Sequence, residues 1–170
     1  MLRRRNLIFI NNTFQSGTED PFTNPLPFQI SIPEDKESSA RAAENATEDI
    51  QVFTDGSAQE GKVGAAAILI KNRSSRILHV HLGPEAEHTV HEAELVGLLL
   101  AIHLISTEKR AATTCSIAMD HQAVIRAFDS DLRRPGHHLA REFLKIANRV
   151  QQRKNMIRGT EQSDGRQAIM

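Results

Sequence analysis

Three acids occupy positions where a charge is expensive. Asp55 closes the β-prone run Val52-Phe53-Thr54 and is followed at once by Gly56 and Ser57. Glu94 sits within a long apolar helical pattern, and Asp120 follows the apolar run 113–119. Burying a carboxylate costs free energy unless something cationic neutralises it. Carboxylates within ~4 Å of one another repel by about 4 kcal/mol per pair at an effective dielectric of about 20, so they gather only around cations. Such an oxygen-only donor set suits Mg²⁺, with Mn²⁺ as a substitute, because Mg²⁺ keeps several waters and takes few protein oxygens besides a substrate phosphate. Each acid also has a plainer reading. Asp-Gly is a turn dipeptide, Glu94 taken alone is a solvent-facing residue of its helix, and Asp120 is an ordinary helix N-cap.

The elements that would position these acids follow from periodicity and turn chemistry. Residues 50–54 read as a strand, 55–61 as a hairpin-type connection, and 62–71 as a second strand whose Gly64-Ala65-Ala66-Ala67 leaves room for a helix. After the turn 72–75 comes a third strand, 76–82, with His79 and His81 on one face. Gly83-Pro84 breaks the sheet, and Thr89 with Glu92 three residues on is the signature of a helix start. Along that helix Val90, Ala93, Val96, Leu99, Leu100 and His103 or Leu104 recur at the helical period, which predicts a wide apolar face with Glu94 beside it. A polar turn over 106–112 leads to a fourth strand, 113–119, which feeds a helix over 120–128. Asp120 then stands at a strand-to-helix junction, where side chains of α/β folds face a crevice.

The last helix is predicted from residue 137 to about 154. Leu139, Phe143, Ile146, Ala147 and Val150 form its core stripe, and Arg141, Lys145, Arg149 and Arg153 follow one another every four residues on another face. Such a stripe is a solvated face in most helices, but beside a metal-carboxylate site it suits phosphates.

Composition narrows the class without naming a partner. A chain of 170 residues with 39% apolar content can build one core, and 21 basic against 21 acidic residues leave no net field to favour or exclude a polyanion. Cys115, the single cysteine, lies in an apolar run and reads as a core thiol, which excludes an intrachain disulfide. The basic start Arg3-Arg4-Arg5 is followed by only four apolar residues, Leu7-Ile8-Phe9-Ile10, too few for a secretory core of roughly 7–15. No stretch approaches the ~20 apolar residues of a membrane span, and an intracellular chain, cytoplasmic or nuclear, is expected. Residues 1–49 hold Pro21, Pro25, Pro27 and Pro33 without sustained periodicity and read as a mostly disordered linker ahead of a folded domain at 50–170.

The order β-β-β-α-β-α-α, with acids on the first strand, first helix and fourth strand, resembles the type-1 ribonuclease H domain. It is most similar to the version at the carboxyl end of fungal LINE-type retrotransposon polyproteins, which follows a reverse transcriptase. The residues that carry the resemblance are Phe53-Thr54-Asp55-Gly56-Ser57, Lys62-Val63-Gly64-Ala65-Ala66-Ala67, His88-Thr89-Val90-His91-Glu92-Ala93-Glu94-Leu95 and Asp120-His121-Gln122-Ala123. The stretch 21–35 is similar to the linker that joins polymerase and nuclease in such elements. The resemblance implies an α/β fold with a mixed five-stranded sheet, and an enzyme that cuts the RNA strand of an RNA–DNA hybrid with two Mg²⁺ ions held by four carboxylates. It implies that Asp55, Glu94 and Asp120 are three of those ligands. Gly56 and Ser57 would let the backbone approach the RNA, and Gln122, Arg141, Lys145 and Arg149 would contact nucleic acid.

The family closes with a strand and then a loop of the form Trp-x-Pro-Gly-His-x-Gly-x-x-Gly-Asn-Glu-x-x-Asp, whose aspartate is the fourth ligand. Laid on this chain, Met156 takes the tryptophan's place, Gly159 and Gly165 match glycines, Thr160 replaces the histidine and Met170 the aspartate. The closing strand and final helix are expected to be degraded or missing, and activity well below that of a complete enzyme is expected. A non-catalytic nucleic-acid-binding module and an inert remnant stay open as alternatives. A zinc site at His88 and His91 or at His137 and His138 lacks a cysteine or a matching distant pair.

Overall fold

The computed structural model describes residues 6–10, 29–31, 37, 41, 47–108, 114–120, 124 and 136–167. In chain order the elements are β1 (Asn6–Ile10), β2 (Gln29–Ser31), β3 (Ile50–Gln59), β4 (Lys62–Lys71), β5 (Ser74–Pro84), α1 (Val90–Ser106), β6 (Cys115–Met119) and α2 (His137–Gln167). The strands form one mixed sheet in the order β2-β1-β6-β3-β4-β5. β3 and β6 are parallel and every other pair is antiparallel. From β3 onward the described elements run β-β-β-α-β-α, an α/β arrangement.

β3, β4 and β5 form a meander joined by two tight turns. Glu60 and Gly61 both have positive φ, 52° and 73°, and so do Asn72 and Arg73, 47° and 66°. Two consecutive positive φ values mark the primed turn whose twist matches that of paired strands. The first turn is shorter than expected. The connection predicted over 55–61 is strand as far as Gln59, because Asp55 to Gln59 keep their partners Ala66 to Lys62 on β4.

α1 begins as predicted, with Thr89 Oγ1 accepting from the Glu92 amide at 3.1 Å and Glu92 Oε2 accepting from the Thr89 amide at 2.8 Å. Its far end is also tied down. Arg153 of α2 donates from Nη1 and Nη2 to the Ser106 carbonyl at 3.1 and 2.9 Å, occupying one of the acceptors that a helix C-terminus leaves over. Glu108 pairs with Lys71 of β4 at 3.2 Å and Arg76 of β5 at 3.6 Å.

The face that α1 buries differs from the predicted stripe. Ala93, Leu95, Leu98, Ala101, Ile102, Leu104 and Ile105 are buried, whereas Val90 and His103 are exposed. The helix is sandwiched, with β3 and β4 on one side and Ala140, Phe143, Ala147 and Val150 of α2 on the other, so two stripes are covered. A single-face reading of the period could find only one of them.

Two further expectations change. Among the described residues the sheet has six strands where five were expected, because the segment 1–49, read as linker, contributes β1 and β2. Residues 156–167, aligned with the family's closing loop, continue α2 as helix to Gln167. Of the helix expected over 120–128, only Val124 beyond Asp120 is described, and Val124 is buried in the core. Among the described residues no helix is long and apolar enough to cross a membrane.

Candidate functional site

The parallel pair β3–β6 is the frame of the site. It is clamped at its start, where the Asp49 amide donates to Thr114 Oγ1 at 3.0 Å and the Thr114 amide donates to Asp49 Oδ2 at 3.3 Å. From there the ladder runs from Ile50 opposite Cys115 to Phe53 opposite Ala118, and then stops. Thr54, itself buried, donates from Oγ1 to the Ala118 carbonyl at 3.4 Å just where the strands part. Two residues past the last pair on each strand stand Asp55 and Asp120. Asp55 is therefore not at the end of its strand as the sequence suggests. It is mid-strand toward β4, where it faces Ala66, and beyond the ladder toward β6.

Alternation decides which way each acid leaves the backbone. Val52, Thr54 and Gly56 are buried toward α1, so Asp55 and Ser57 leave β3 on the opposite face, and both are exposed. Glu94 approaches from the α1 side. A Cβ built on Gly56 would stand 2.5 Å from the Glu94 amide nitrogen and 2.7 Å from the Ala93 carbonyl carbon, distances no real side chain tolerates. Gly97, one turn on, lies over Thr54 and the Asp55 carbonyl. Small residues thus let the helix backbone rest on the strand at the level of the acids. Glu94 is only 3% exposed and is not the solvent-facing residue its helix alone suggests.

Asp55 and Asp120 therefore flank the opening where β3 and β6 part, and the Glu94 backbone rests on Gly56 of β3 at that level. The opening is where groups on opposite faces of the sheet can reach a common point, because paired backbone separates the faces elsewhere. Oxygen-only donors there suit a hard cation such as Mg²⁺. Among the described residues, however, no three His, Cys, Asp or Glu side chains are gathered as a group that could hold a metal ion. The positions fit the ion in type and level; the side chains are not drawn together on one point.

No family model matches the chain, and no curated protein matches it. A solved structure does. LC11-RNase H1 in complex with RNA/DNA hybrid is 20% identical and covers 58% of this chain and 74% of its own, with a TM-score of 0.45.

The remaining expected site residues divide. Gly56 is buried, and its close neighbours are backbone atoms of α1 rather than open space for a nucleic-acid strand. Gln122 lies outside the described residues. Arg141, Lys145 and Arg149 are exposed on α2, with Lys145 paired to Glu142 at 3.1 Å. Arg153, in the same sequence stripe, is committed to the end of α1. Sequence reasoning gave the Gly97 contact no role; its signal was a glycine three residues after Glu94 in an apolar helix, where glycine weakens the helix unless something needs the space.

Proposed function

We propose that this chain is a ribonuclease H-type domain that acts on the RNA strand of RNA–DNA hybrids. The observation that carries this reading is the register of β3 against β6, which sets Asp55 and Asp120 two residues past the same last pair while Gly56 seats the Glu94 backbone at that level. Asp55, Glu94 and Asp120 would hold Mg²⁺ or Mn²⁺. Bound there, the ion would lower the pKa of an attacking water and stabilise the leaving oxygen of the phosphodiester. Ser57, exposed on the same face of β3 as Asp55, is available to orient the substrate backbone. The exposed Arg141, Lys145 and Arg149 supply an electrostatic grip on phosphates. The motif resemblance supports an origin in a retrotransposon polyprotein beside a reverse transcriptase, and buried Cys115 suits a reducing compartment.

The test is cleavage of a labelled RNA–DNA hybrid with Mg²⁺ or Mn²⁺ by the full chain and by Asp55→Asn. Cutting that disappears in Asp55→Asn supports the enzyme. Absence of cutting by the unaltered chain overturns it. A second reading, a module that grips hybrid without cutting, is favoured by the ungathered acids. It predicts hybrid binding that is salt-dependent and indifferent to Mg²⁺.

A further inference from the structure

β6 has a problem that β3 does not solve. All five of its residues, Cys115–Met119, are buried, yet β3 pairs with it only as far as Ala118. Its other edge would expose a row of backbone donors and acceptors that must find partners. Among the described residues after β6, those in regular structure are helical, Val124 and α2, so no later described strand supplies them.

We propose that the N-terminal strand β1 is the docking strand that closes the sheet at β6, and that it holds the end of β6 from which Asp120 projects. β1 pairs antiparallel with the whole of β6, from Ile10 opposite Cys115 to Asn6 opposite Met119. It therefore reaches one residue further toward Asp120 than β3 does. Leu7-Ile8-Phe9-Ile10 is a continuous apolar run without alternation, which is the composition of a strand covered on both faces. The new outer edge is β2, only three residues long and flanked in sequence by Pro27 and Pro33, a combination that discourages further pairing. This short apolar segment thus has a structural task. The docking stands without the proposed activity; only its consequence for Asp120 rests on that reading.

The register supplies its own probe, because Ile10 lies opposite the chain's single cysteine. Directly opposed residues of antiparallel strands have Cα atoms ~4.5–5.5 Å apart, within the span of a disulfide. Full-length Ile10→Cys, treated with oxidised glutathione, is expected to remain monomeric, to lose two hydrogens in intact mass and to retain no titratable thiol after denaturation. His103→Cys, at an exposed position of α1 whereas Cys115 is buried, is expected to keep both thiols free of each other. Two thiols in Ile10→Cys that stay unlinked, or that link only between copies, overturn the proposal. If Ile10→Cys is insoluble, Leu7→Cys with Ala118→Cys on a Cys115→Ser background reads the same register at another pair. In Ile8→Pro, which removes a ladder donor, Cys115 should react with a thiol reagent about tenfold faster or more in native buffer. A rate equal to that of the unaltered chain would mean that β1 does not guard β6. None of these readouts depends on hybrid cleavage.

Discussion

Glu94 owes its position to the absence of a side chain at Gly56. The Glu94 amide nitrogen would be 2.5 Å from a Cβ at that position, so helix and strand backbones touch where a metal ligand is expected. Gly56→Ala must push α1 off β3, and overpacking of this kind costs roughly 1–3 kcal/mol. Chemical denaturation should show that loss. Hybrid cleavage should fall by more than the unfolded fraction explains, because Glu94 moves away from the opening.

Metal linkage gives a second measurement. A site that binds Mg²⁺ only when folded stabilises the chain by about 2.7 kcal/mol at a concentration 100-fold above its Kd. Thermal melts with and without Mg²⁺ should differ for the unaltered chain and coincide for Asp55→Asn and Asp120→Asn. Equal Mg²⁺ shifts in all three proteins would remove Asp55 and Asp120 from the metal set.

Arg149 and Arg153 share a helix and a spacing but not a role. Arg149 is exposed, and its removal should weaken hybrid binding and reduce the slope of log K against log salt by about 1. Arg153 is bonded to the Ser106 carbonyl, so Arg153→Ala should cost roughly 0.5–1.5 kcal/mol of stability and leave that slope unchanged. Binding titrations at several salt concentrations, beside denaturation curves, separate the two.

Arg73 holds φ at 66° in a turn that favours glycine. A left-handed conformation costs a non-glycine residue about 1–2 kcal/mol, of which the greater freedom of unfolded glycine returns about 0.5–1. Arg73→Gly should therefore raise stability by roughly 0.5–1 kcal/mol, seen as a higher melting temperature with hybrid binding unaffected. A lower melting temperature would mean that the Arg73 side chain contributes more than its backbone strain costs.

What the sequence determined by itself was local. The capping box at Thr89 and Glu92, the turn at Asn72, and the core stripe Phe143, Ala147 and Val150 on α2 were all legible. Each is encoded within a few residues by turn chemistry, helical period or residue type. Tertiary structure decided the rest. Whether Glu94 faced water depended on α1 being covered by both the sheet and α2. Whether Asp55 ended a strand depended on which neighbour is asked, since the β4 ladder continues past it and the β6 ladder stops before it. That Leu7 to Ile10 belong to the sheet depended on a pairing more than a hundred residues distant in sequence, with Cys115 to Met119. Strand pairing and helix coverage are long-range choices made by burial, and no short window of sequence contains both partners.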